Sequence, residues 1–167
     1  MSVPYCDHSS VGILVWRNER LLLIERKRKP FGFAPPAGHV DDHGTFEDAA
    51  RRELFEEVGI EANRIELVAE GYRENRCRRP RGTWHYWKIY HADAEGTVQT
   101  ADDEVLSHRW CNTDELSRLA AKAVAHRKQG SPEADIKADP GLEDVWLDWL
   151  VQIGVIGNPD LTDRKKT

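Results

Sequence analysis

An α/β fold, with helices packed on a mixed or antiparallel sheet, is the architecture this sequence predicts, and three observations carry it. The 167 residues, 40% hydrophobic and 32% charged, suit one compact domain with a sizeable core. Runs rich in β-branched, leucine or aromatic residues are spaced along the chain between turn-forming segments. Three other stretches repeat apolar residues at helical spacing.

Taken in order, Val11–Trp16 and Arg20–Glu25, separated by Arg17, Asn18 and Glu19, predict a buried hairpin. The stretch RKRKPFGFAPPAGHV mixes basic residues with proline and glycine, which predicts an irregular segment ending in a short strand near Gly38. Thr45 fits an N-cap with Asp48 as its capping-box partner, and Gly59 supplies a left-handed stop, so a helix is expected over Phe46–Val58. Its stripe of Phe46, Ala50, Leu54 and Val58 should pack on the sheet, with the charges on the other faces.

Strands are expected at about Ile65–Glu74, Trp84–Ala92 and Val105–Cys111, the first two joined by an arginine-rich loop. Thr113 fits the cap of a second helix carrying Leu116, Leu119, Ala120, Ala123 and Val124 on one side. Gly130–Pro140 looks like a polar linker, and Asp139 followed by Pro140 predicts the start of a last helix. Leu142, Val145, Trp146, Trp149, Leu150 and Ile153 share a face of that helix, which should dock on the domain or, if exposed, form a homodimer contact. The tail after Gly157 should fray. The expected organisation is a domain over residues 1–128, with 129–167 as linker, helix and tail packed upon it.

A formal charge of -5 argues against a nucleic-acid polymer or an anionic membrane as partner. No basic segment followed by an apolar run opens the chain and no stretch reads as a membrane helix, so a soluble cytoplasmic protein is expected. Cys6, Cys77 and Cys111 are widely separated, with no CxxC pair, and indicate neither a disulfide framework nor a zinc ribbon. His39 and His43 likewise have no histidine or cysteine at ligand spacing, so hydrogen bonding or solvation is expected of them.

Chemistry concentrates in GHVDDHGTFEDAARRELFEEVGI, residues 38–60. On a helix Glu53, Glu56 and Glu57 project from neighbouring positions, and each like-charge pair costs roughly 0.2–0.5 kcal/mol, more when partly buried. Arg52 can pair with Glu56, which leaves Glu53 and Glu57 as oxygen donors suited to a hard divalent cation such as Mg2+ or Mn2+. The alternative is a solvated charged face.

Gly38, Arg52, Glu53, Leu54, Glu56, Glu57, Gly59 and Ile60 stand at the spacing of the Nudix box, and the chain resembles the Nudix hydrolases from about Val11 to Leu119. One fixed position departs: Gly44 stands where that family has glutamate. The resemblance implies a Nudix-type α/β/α sandwich with a mixed central sheet, here extended by a C-terminal helix. It implies metal-dependent hydrolysis of a diphosphate linkage in a nucleoside diphosphate joined to another moiety X. By the same resemblance Glu53, Glu57 and then Glu56 are the metal ligands, with the Ala37 carbonyl completing the sphere and Arg52 orienting the carboxylates. A base or further ligand is expected outside the helix, Glu104 being favoured within the acidic run Asp102–Glu104. Gly44 should weaken the site rather than abolish it, and Glu47, a turn before Arg51, could reach the same region.

Two basic clusters, Arg26–Lys29 and a run containing Arg73, Arg76, Arg78, Arg79 and Arg81, could meet polyphosphate, with Arg26, Arg76 and Arg78 the chosen contacts. Trp84, Tyr86, Trp87 and Tyr90 either stack on a base or fill the core. The substrate expected is a small nucleotide or other diphosphate, its class open. A Nudix-fold nucleotide-binding module with little turnover is the alternative, favoured by Gly44.

Overall fold

The computed structural model describes residues 3–159. Strands β1 (Ser9–Arg17) and β2 (Arg20–Arg26) form the expected hairpin, turning through Asn18 and Glu19, both at positive φ. Two short strands, β3 (Phe33–Ala34) and β4 (Ala37–His39), lead to α1 (Phe46–Val58). Then come β5 (Glu61–Arg73), β6 (His85–Glu95), β7 (Val105–Cys111), α2 (Thr113–Gln129), α3 (Glu133–Ala138) and α4 (Asp144–Ile153). The seven strands form a mixed sheet, as predicted: β1 and β6 run parallel from Ser9↔Tyr86 to Val15↔Ala92, and the other pairings are antiparallel.

β1 organises the site because its partners change along its length. It pairs with β4 at Ser10–Gly12 and with β2 only at Trp16 and Arg17. β2 meanwhile joins β7 and β3. β4 and β2 therefore diverge between these pairings, and a cleft opens beside them.

Helices cover both faces, giving the α/β/α sandwich. α1 packs over Val11, Ile13, Val15, Tyr90 and Ala92. On the opposite face, α2 and α4 pack over Leu14, Trp87 and Ile89. Trp146 and Trp149 of α4 are fully buried in this second core, so their face is not available as a dimer contact. Gly12 makes that packing possible, since a Cβ there would lie 2.3 Å from Trp146 Cη2.

Several boundaries differ from expectation for physical reasons. Asn112, not Thr113, caps α2, because its side chain accepts from the Glu115 amide while Glu115 returns a bond to the Asn112 amide. The supposed linker contains α3, and Asp139 caps no fourth helix but binds Lys122 Nζ at 2.6 Å. Gly141–Glu143 is held extended beside β3, with Phe33 donating to Gly141 and Glu143 to Phe33, so α4 starts only at Asp144. β5 begins at Glu61, earlier than Ile65, because pairing with β6 extends to Glu61↔Glu95. The end of the predicted frayed tail lies outside the described residues.

Candidate active site

α1 divides its glutamates between two environments. Ala49, Glu53 and Glu57 lie one turn apart on a stripe beside the apolar one, and the two glutamates are only 9% and 5% exposed. Glu56 is exposed and pairs with Arg52, whose Nε donates to Glu56 Oε1 at 2.8 Å. The expectation that charges take the outer faces is therefore corrected for Glu53 and Glu57. β4 accommodates them: a Cβ at Gly38 would sit 2.2 Å from Glu53 Cδ, and the Ala37 amide donates to Glu57 Oε2 at 3.3 Å.

These carboxyls are hard to ionise without a cation. Burial pushes Glu53 up to about 8, helped by the nearby Glu56, Glu104 and Asp41 carboxylates and opposed by Arg79. Burial and then Glu53 hold Glu57 well above the usual carboxylate range, with Arg26 opposing. Glu104, from the segment before β7, borders the same cleft.

The cleft sets these carboxylates against both basic clusters. Arg26, Arg28 and Lys29 line it, as do Arg76, Arg78 and Arg79. Some are already engaged: Arg79 holds Asp41 through two bonds of 2.6 and 2.9 Å, Lys29 pairs with Glu133, and Arg26 Nε lies 3.8 Å from Glu143 Oε2. Arg28, Arg76 and Arg78 have no ion pair or hydrogen-bonded side-chain partner among the described residues. Two members of the predicted run lie elsewhere: Arg73 covers the Trp149 ring at 3.9 Å and binds Gln152, and Arg81 covers Tyr5 at 4.8 Å.

Gly44 turns the chain into α1 at φ +93°, and a Cβ there would stand 2.7 Å from Asp48 Oδ2. Glu47 pairs with Arg51 at 3.8 Å. Among the aromatics, Trp87 and Tyr90 are buried, whereas Trp84 and Tyr86 are exposed, with Trp84 stacked on His8 at 4.0 Å and on Tyr72 at 5.6 Å.

His39 is hydrogen-bonded, as expected, its Nε2 lying 3.5 Å from Cys6 Sγ, but both histidines also stand in groupings that sequence spacing did not suggest. Ligand atoms of His43, Glu53 and Glu56 lie within 4.8 Å of one another, and those of Cys6, His39, Cys77 and His85 do the same. Neither grouping was visible in sequence spacing, because tertiary pairing creates both. Glu143 was missed too: it is only 4% exposed and borders the cleft although it comes from the far end of the chain.

The donor set of Glu53 and Glu57 fits a hard divalent cation. Its oxygens are buried and mutually repelling, while the guanidinium groups that offset them, Arg26 and Arg79, are shared with Glu143 and Asp41.

An α/β/α sandwich with buried helix carboxylates facing an arginine-lined cleft suits a hydrolase of phosphoric anhydride bonds, the class to which the family match and the named relatives assign the chain. Residues 7–134 match the NUDIX domain, and the chain belongs to that family. It is 31% identical over 121 residues to the rat bis(5'-nucleosyl)-tetraphosphatase [asymmetrical], covering 71% of this chain and 76% of the relative. It is 27% identical over 133 residues to an RNA pyrophosphohydrolase of Cereibacter sphaeroides, covering 70% and 81%. The crystal structure of the MutT NUDIX hydrolase from Burkholderia pseudomallei superposes with a TM-score of 0.56 at 28% identity, covering 64% of this chain and 84% of that one. No helix among the described residues is long and apolar enough to cross a membrane.

Proposed function

We propose that this chain hydrolyses a diphosphate linkage in a nucleoside diphosphate joined to another moiety, in the presence of Mg2+ or Mn2+. The observation that carries the reading is the pairing of buried Glu53 and Glu57 with the unpaired Arg28, Arg76 and Arg78 around one cleft. Glu53 and Glu57 would hold the cation, with Glu56 and the Ala37 carbonyl as further donors. Bound there, a divalent cation offsets charge on the phosphate oxygens and lowers the pKa of a coordinated water.

The chain's own groups supply the rest. Arg76 and Arg78, with Arg26 and Arg28, fasten the phosphates by charge-assisted hydrogen bonds and fix phosphorus relative to the carboxylates. Glu104 is the candidate general base, its carboxylate accepting a proton from the attacking water. Arg52 steadies the outer carboxylate through its contact with Glu56 Oε1. Tyr72 and Trp84, both exposed, are the candidate platform for a base. The breadth of the basic lining and the rat relative's named activity favour a substrate with several phosphates, such as a nucleoside triphosphate or dinucleoside polyphosphate. The C. sphaeroides relative's name adds a triphosphate-bearing RNA end to the substrates worth testing.

Gly44 favours a second reading, a nucleotide-binding module with little turnover. Phosphate or pyrophosphate release from nucleoside triphosphates, nucleotide sugars, ADP-ribose, dinucleoside polyphosphates and triphosphorylated RNA, with Mg2+, Mn2+ or EDTA, decides between them. Metal-dependent turnover of one class is expected. Ligand binding with no turnover on any of them would establish the binding module instead.

A further inference from the structure

Beside the carboxylate site, four side chains distant in sequence converge. Cys6 comes from the N-terminal segment, His39 closes β4, Cys77 lies in the arginine loop and His85 opens β6. Cys6 Sγ is 3.2 Å from His85 Nε2 and 3.5 Å from His39 Nε2. Zinc bonds of about 2.3 Å to sulfur and about 2.0 Å to nitrogen, set at tetrahedral angles, would separate sulfur from nitrogen by about 3.5 Å. The two Cys6–imidazole separations are close to that value, and all four ligand atoms lie within 4.8 Å of one another, a cluster compact enough for one ion.

The surroundings have the features of a thiolate-metal cradle. The His8 amide donates to Cys6 Sγ at 3.3 Å and the Arg79 amide to Cys77 Sγ at 3.4 Å, so each sulfur receives an N–H from two residues further on. Such bonds stabilise sulfur as thiolate. Gly82 leaves room for both cysteines, since a Cβ there would lie 2.1 Å from Cys77 Sγ and 3.4 Å from Cys6 Cβ. Cys6 N–H donates to the Pro80 carbonyl at 3.1 Å and ties the N-terminal segment to the arginine loop, which is itself closed by Cys77 N–H donating to the Gly82 carbonyl at 2.8 Å. His85 is almost fully buried, and its Nδ1 makes no hydrogen bond of good geometry, although the Asn75 backbone lies beside it. A backbone carbonyl in that position is the kind of group that orients a ligating imidazole.

We propose that Cys6, His39, Cys77 and His85 form a tetrahedral zinc site, separate from the carboxylate site. Two thiolates and two neutral imidazoles are soft and borderline donors that select zinc over magnesium, and the thiolates offset its charge in a half-buried place. Binding replaces the two thiol protons, which pass to solvent. Four protein ligands leave no open position, so the ion's part is structural: it pins the arginine loop to β4 next to Gly38. Where the proposed hydrolase reading holds, loss of zinc should raise KM for the anionic substrate more than it lowers kcat, because Arg76 and Arg78 lose their anchor.

The test uses the full chain, purified under reductant without chelator, and it reads the metal rather than turnover. Elemental analysis should find one zinc per chain. Cobalt exchanged for it should show the intense visible bands of tetrahedral geometry and a sulfur-to-cobalt charge-transfer band. Cys77→Ser, in a half-buried loop position, should lower the zinc content at least tenfold, whereas Glu57→Gln should leave it unchanged. Little zinc and a weak octahedral cobalt spectrum in the reduced wild type would overturn the site, as would full retention in Cys77→Ser or a Cys6–Cys77 disulfide that survives the reductant. Should Cys77→Ser fail to fold, the wild-type cobalt spectrum decides alone.

Discussion

Gly38 and Glu53 are in contact across the interface of β4 and α1, so closely that a Cβ on residue 38 would overlap the Glu53 carboxyl carbon at 2.2 Å. The glycine thus determines where a buried carboxylate can sit. Gly38→Ala is expected to displace Glu53, to cut metal-stimulated turnover by at least about tenfold, equivalent to about 1.4 kcal/mol of transition-state stabilisation, and to shrink the Tm rise on adding Mg2+. Calorimetry with and without Mg2+, alongside initial rates, checks this. Unchanged rates would mean that Glu53 does not contribute from this position.

The same burial predicts a pH dependence. Without metal, folded Glu53 keeps its proton up to about 8, whereas an unfolded glutamate loses it near pH 4.3. Between those values the folded state binds the extra proton, so stability falls as pH rises. His39 and His85, both lowered by burial, act in the other direction, their contribution being lost as pH falls below about 6.5. The window from about pH 6.5 to 8 therefore isolates the glutamates. In EDTA, Tm should decline across it, Glu53→Gln should flatten the decline, and the Mg2+-induced rise in Tm should grow with pH. An equal slope in Glu53→Gln would disprove the assignment.

What the sequence revealed was what short-range patterns encode. The Thr45–Asp48 capping box, the left-handed Gly59 and the apolar stripe of α1 are local, and all are found in the fold. Arg26, Arg28, Arg76, Arg78 and Arg79 reach one cleft because the loops carrying them flank the motif, whereas Arg73 and Arg81 turn away to Trp149 and Tyr5. Long-range pairing escaped notice. Cys6 and His85 are 79 residues apart and meet only because β1 and β6 run parallel, with the Tyr86 amide donating to the His8 carbonyl just ahead of the paired strands. Glu143 is drawn into the cleft by its backbone bond to Phe33, an extended pairing that helix-start signals at Asp139 and Pro140 do not encode.

Gly44 is not a simply weakened version of the family's glutamate position. Its φ of +93° lies where side chains are strained, and its neighbour is Asp48 Oδ2, which accepts the Thr45 amide at 3.1 Å in the capping box. Gly44→Glu should cost about 1–3 kcal/mol of stability through backbone strain, and a second carboxylate facing Asp48 should loosen the start of α1. Urea unfolding measures the loss. Stability equal to the wild type would mean that the turn can re-form around glutamate, and any gain in rate could then be assigned to the restored carboxylate.

Arg26 and Glu143 form the remaining test, because the arginine serves two neighbours. It opposes the charge of buried Glu57 and lies 3.8 Å from the almost fully buried Glu143. Arg26→Met removes both interactions and should destabilise the protein by about 3 kcal/mol, as expected when one member of a buried ion pair is left behind. Adding Glu143→Leu removes the orphaned carboxylate and should recover most of that loss. If Arg26 also binds phosphate as proposed, turnover should not return with it, since an apolar pair cannot replace a phosphate-binding arginine. Urea denaturation and steady-state kinetics on the single and double variants separate the two roles. Recovery of turnover together with stability would show that Arg26 serves the fold alone and that phosphate is held by Arg28, Arg76 and Arg78.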